Sequence, residues 1–197
     1  PSWKAVRARV EQIDRFKLVR QREGNKAARD RLRPVPEEYR ADHALLTLGE
    51  HRQAQAALRQ RGVRLSDEQL MQAVAPGRNR GIYLLGHLAA VHDQMLPLLR
   101  FQATIHPALY IPFHDEPDGA VDELPSISQL RAQWKEVNDA LVNHMKGLAP
   151  EEWFTRHANI SEEDFPKEMH RNRLNVVISR TNHLAYHRGQ LALLSSK

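Results

Sequence analysis

The chain has 197 residues, of which 41% are hydrophobic and 27% charged, with a formal net charge of +5. That length and composition suit one globular domain with an extension, and no run of about 18 uninterrupted apolar residues offers a membrane span. The sequence contains no cysteine, which excludes disulfides, thiolate metal ligands and a cysteine nucleophile, so any metal must be held by histidine, carboxylate or water.

Residues 1–40 come first and carry the basic character. They hold 12 of the 29 Lys and Arg and 6 of the 24 Asp and Glu, which leaves the remainder close to neutral. Ser2 to about Arg22 has Trp3, Val6, Val10 and Val19 near helical spacing and reads as an amphipathic helix. Gly24 and Asn25 stop it, and Pro34-Val35-Pro36 marks a linker. Because Glu11, Asp14 and Glu23 are interspersed and no aromatic stacking pattern accompanies the charge, the segment reads as a solvated helix face rather than a nucleic-acid-binding arm. No basic n-region followed by an apolar run opens the sequence, so no signal peptide and a cytoplasmic location are expected.

The main body, 41–197, reads as four helices. One runs from about Tyr39 to Arg61, with Gly62 placed to end it. Another runs from about Arg80 to Leu99, kinked or ended by Pro97. The stretch 105–125, with Pro107, Pro112, Pro117 and Pro125, is expected to be a loop or broken connection. Ser126 or Ser128 caps a helix reaching Lys146, and Gly147 ends it. After an irregular stretch, a last helix runs from about Leu174 to the end. Strand signals are few, so the fold class is all-α: a four-helix bundle with an additional N-terminal helix. A weak internal repeat fits a bundle with a pseudo-twofold axis. Leu65 to Leu70 resembles Leu148 to Trp153, and each segment precedes a helix bearing His-Leu-Ala, at His87 and His183.

The chemistry is expected from histidine. His183 and His187 are four apart on the last helix, so their rings lie one above the other and can chelate one ion. His87 falls on the same side of its helix as Tyr83, Leu84, Val91, Gln94, Met95 and Leu98, in a stripe that should face the core. A buried imidazole needs a partner for each ring nitrogen, and a metal shared by His87, His183 and His187 would supply one to all three. His92, five residues from His87, points about 140° away and is the lesser candidate. Gln94 and Gln190, each seven residues after a histidine, are candidates for orienting an imidazole N–H or a bound water. Tyr83 and Trp153 are expected to line a cleft beside the metal. Asp93 and Glu50 are left open as general bases, and the remaining histidines (His51 and His114 among them) fall on loops or polar faces where exposure accounts for them.

The segment Gly81 to Val91, read together with Asn182-His183-Leu184-Ala185-Tyr186-His187-Arg188-Gly189-Gln190-Leu191, resembles the DinB-like (YfiT-like) metalloenzyme superfamily. The resemblance spans about Ala41 to Leu194 and leaves 1–40 without a family role. It implies the metal ligands His87, His183 and His187, a homodimer, and chemistry related to S-transferases that use low-molecular-weight thiols. With no cysteine in the chain, an external thiol such as bacillithiol or mycothiol would supply the sulfur. Histidine-only ligation suits zinc or nickel, with iron also open. The expected function is transfer of a thiol to a small electrophilic substrate. A metal-dependent hydrolase and a non-catalytic, stress-related metal-binding bundle are the alternatives.

Overall fold

The computed structural model describes Gly49, His51, Gln53 and residues 65–196. The helix expected in residues 1–40 and most of the one expected from Tyr39 to Arg61 lie outside the described residues. Gly49, His51 and Gln53 are themselves helical.

Helices α1 (Asp67–Leu70), α2 (Gly81–Asp93), α3 (Met95–Leu98), α4 (Ile127–Lys146) and α5 (Arg173–Ala192) make up the regular structure among the described residues, with short 3-10 and π-helical turns between and after them. The described residues contain no strand, only two isolated backbone bridges, Ala73 with Arg80 and Arg156 with Asn172. The all-α expectation is met.

Helix α2 is the centre of the bundle. Twelve of its 13 residues are buried, and the exception is His87. A helix apolar all round is one that neighbours cover on every side, so the single core-facing stripe expected for this helix understates its burial. Its first turn is held by Asp118, which accepts from the Arg80 backbone N–H at 2.6 Å and pairs with the Arg80 guanidinium at 2.7 Å. Its end follows from Pro97. A proline has no N–H for the carbonyl four residues back, here Asp93, and its ring crowds that carbonyl. Helix α2 accordingly ends at Asp93, and α3 restarts at Met95 with Pro97 inside it. The chain then leaves through Arg100 at φ 60°, the left-handed residue that commonly closes a helix.

The proline-rich stretch 105–125, expected to be a loop or a broken connection, contains two short helical turns. A 3-10 turn (Pro107–Leu109) runs into a π-helical turn (Ile111–Asp115), which buries Leu109 and Phe113 against α2. Burial of two large side chains outweighs the poor helix-forming prolines, which sit at the starts of the turns where no N–H is missed.

Helix α4 begins at Ser126 as expected: Ser126 Oγ accepts from the Gln129 N–H and Gln129 Oε1 from the Ser126 N–H, at 3.2 and 2.8 Å. Its buried positions Leu130, Trp134, Val137, Asn138, Leu141 and Met145 recur every three to four residues and pack on α2. Helix α5 starts one residue before the expected Leu174, with Asn172 accepting from the Asn175 N–H at 2.9 Å. The repeat seen in the sequence has a local structural counterpart. Gln69 reaches back to the Ser66 N–H at 2.9 Å, and Glu152 reaches back to the Ala149 N–H at 2.8 Å.

Candidate metal centre

Helices α2 and α5 bring His87, His183 and His187 together. One ring nitrogen from each lies within 4.8 Å of the others. His183 Nε2 is 3.2 Å from His87 Nε2 and 3.0 Å from His187 Nε2. The rings meet edge-on, at interplanar angles of 62°, 67° and 82°, so that three nitrogens aim at one point without the ring faces colliding.

The opposite ring nitrogens explain the aim. His87 Nδ1 donates to the Phe113 carbonyl at 2.8 Å, and His187 Nδ1 donates to Gln190 Oε1 at 2.7 Å. Because each acceptor is a carbonyl oxygen, each Nδ1 carries the proton, and the Nε2 atoms of His87 and His187 are left with bare lone pairs. A proton on His183 Nε2 can satisfy only one of them. The cluster therefore holds more acceptors than donors at its centre, which is the electronic character of a cation site. The spacing fits as well, since tetrahedral ligation at Zn–N distances of about 2.0–2.1 Å sets nitrogens roughly 3.3 Å apart.

Electrostatics push the same way. Burial, then the charge of neighbouring His187 and His87, holds the His183 pKa at about 4. Burial also lowers His87 and His187, offset in part by their Nδ1 hydrogen bonds. All three are neutral near pH 7, as ligation requires.

Of the groups expected around the site, Gln190 orients His187, and its own amide Nε2 donates to the Tyr186 hydroxyl at 3.3 Å. Gln94 forms no hydrogen bond with the three histidines among the described residues; it lines a cavity of about 270 Å³ next to them. Tyr83 stacks 6.3 Å from His87, but its hydroxyl donates to the Glu116 carbonyl at 2.7 Å. Trp153 is buried at 2% exposure and is not among the residues lining that cavity.

Asp93, left open as a base, is spoken for: its two carboxylate oxygens accept the backbone N–H groups of Ile105 and His106 at 2.8 Å each. Glu50 lies outside the described residues. His92 points away from the cluster as its position predicts, its Nδ1 donating to Asn138 Oδ1 at 2.9 Å and its ring packing 4.7 Å from Trp134. His51 corrects the expectation of exposure. It is fully buried, stacks on His92 at 5.6 Å and meets Thr181 Oγ1 at 2.8 Å.

Three residues of the site were not singled out from the sequence. His114 stacks 6.2 Å from His87 and 4.3 Å from Tyr110, and these two line the cavity with Gln94, Asn159 and Arg180. Arg180 had a legible signal, since it lies one turn before His183 and two before His187 on one face of α5. His114 and Tyr110 had none, because the proline-rich stretch carries no period.

Among the described residues no helix is long and apolar enough to cross a membrane. No curated protein sequence matches the chain. A family model does: that of the DinB superfamily, over residues 50–191, more than two thirds of the length. The match takes in all three histidines of the cluster and Gln190. The chain belongs to the DinB superfamily.

Proposed function

We propose that the protein is a metal-dependent enzyme that transfers a low-molecular-weight thiol to a small electrophile. The observation that carries the metal reading is the convergence of three imidazole nitrogens, with the far side of His87 fixed by Phe113 and that of His187 by Gln190. His87, His183 and His187 would hold a divalent ion, with zinc or nickel suited to an all-nitrogen donor set. When bound, such an ion supplies a Lewis acid that lowers the pKa of a thiol or a water towards neutrality. Three protein ligands leave coordination positions open, as catalytic sites do and closed structural sites do not.

The protein's own residues do the positioning. Phe113 and Gln190 set the tautomers of His87 and His187, and Tyr83 and His114 stand nearly parallel to the His87 ring at 6.3 and 6.2 Å. The thiol half of the reading rests on the resemblance to S-transferases that use low-molecular-weight thiols; with no cysteine in the chain, sulfur chemistry here needs a borrowed thiol.

The test pairs zinc- or nickel-loaded protein with bacillithiol, mycothiol or glutathione and a chromogenic electrophile such as monochlorobimane. Turnover above the thiol-only background, abolished in His187→Ala, is expected. No rate with any thiol, alongside metal-dependent cleavage of esters or amides, would replace thiol transfer by hydrolysis.

A further inference from the structure

The cavity beside the histidines has a charge that its own walls leave uncompensated. Arg180 lines it, half-buried, and makes no hydrogen bond or ion pair with a protein group among the described residues. No Asp or Glu is among the lining residues; the polar ones besides Arg180 are Gln94, Tyr110, His114 and Asn159. The other arginines in comparable burial are paired: Arg80 with Asp118, Arg156 with Glu162, and Arg173 with Glu152. A guanidinium drawn partly out of water and given no counter-ion is energetically costly, and the cost is recovered when an anion docks on it.

The position of the arginine gives that anion a purpose. On α5, Arg180 precedes His183 by one turn; on α2, Val91 follows His87 by one turn, and Gln94 caps the helix one turn further on. The cavity borders the histidine cluster through His114, which lines it and whose ring stands 6.2 Å from that of His87. Val91, Pro97, Leu98 and Ala158 supply apolar wall between.

We propose that this cavity binds a small molecule with an anionic oxygen group at one end, held by the Arg180 guanidinium, so that its other end lies at the three-histidine cluster. The planar fork of arginine matches carboxylate or phosphate through two parallel hydrogen bonds. Asn159 and Tyr110 are polar neighbours able to complete its coordination. The inference rests on the metal-centre reading only for what lies at the far end of the ligand; the anion subsite stands on Arg180 and the cavity alone.

The test is calorimetric titration of the full chain with benzoate, phenyl phosphate and the neutral benzamide, with zinc content measured on each sample. Benzoate or phenyl phosphate is expected to bind roughly tenfold or more tighter than benzamide, and whichever is tighter identifies the head group. Arg180→Gln should remove that preference while keeping zinc, which also shows that the variant is folded, and Arg180→Lys should keep part of it. The same titration in His183→Ala separates the two readings: an Arg180-dependent preference that survives loss of zinc supports the subsite without the metal. Equal binding of all three probes by the wild-type chain, or an anion preference unchanged in Arg180→Gln, would overturn the proposal.

Discussion

The ring of Phe113 occupies the space that a side chain on Gly86 would need. A Cβ built there would stand 2.3 Å from Phe113 Cε1, and the ring has no exposed side into which to retreat. Gly86 thus lets the π-helical turn settle on α2 closely enough for the Phe113 carbonyl to reach His87 Nδ1.

Two effects compete in Gly86→Ala. Removing a glycine from a helix interior gains about 1 kcal/mol of helix propensity. Overpacking a closed core costs typically about 1–3 kcal/mol, and this overlap is severe. A net loss of stability is expected, together with weaker metal binding, because the carbonyl that orients His87 must shift. Urea denaturation and zinc titration check both; a more stable variant would mean that the turn can move freely.

About one divalent ion per chain is expected by elemental analysis, with near-complete loss in His87→Ala, His183→Ala and His187→Ala, since each leaves only two protein ligands. Gln190→Ala should bind roughly 10- to 100-fold more weakly, because His187 loses the acceptor that sets its tautomer. Retention of metal by His87→Ala, with loss in the other two, would mean that the α2 histidine is not a ligand.

The buried pair His51 and His92 should make the fold acid-sensitive. Burial holds His51 at about 4 and His92 well below the ordinary value of 6.5. Both stay neutral in the fold, whereas the unfolded chain takes up their protons near pH 6.5. Stability is therefore full above that pH and is lost as the pH falls towards 4, by about 3 kcal/mol for His51 across the interval. Denaturation midpoints of the metal-free protein at several pH values should trace this fall, with a shallower slope in His51→Gln. An unchanged slope would assign the sensitivity to other groups.

Asp93 should prove structural. Asp93→Ala leaves the Ile105 and His106 N–H groups without their acceptor, at a cost of about 2–3 kcal/mol. Metal content should be unchanged and Asp93→Asn milder. A variant that keeps its stability but loses activity would return Asp93 to a chemical role.

What could be read in the sequence alone is what a helix encodes locally. The four-residue spacing of His183 and His187 puts both rings on one face wherever the helix packs. Pro97 dictates the break at Asp93 through an interaction that spans a single turn, and Ser126 with Gln129 announces its helix within four residues. The histidine trio was reachable because two core-facing helices of one bundle carried it.

Tertiary structure decided everything that depends on which surfaces meet. The Phe113 carbonyl that orients His87 lies 26 residues away, and the partner of His51 lies 130 away. Nothing in periodicity specifies such a pairing, so His51 read as exposed and the proline-rich stretch showed no sign of the turns that pack on α2. The cavity is the clearest case. Arg180, His114 and Gln94 come from three separate segments, and a charge without a counter-ion becomes visible only when the walls around it are in place, because it is a property of the neighbours that a side chain does not have.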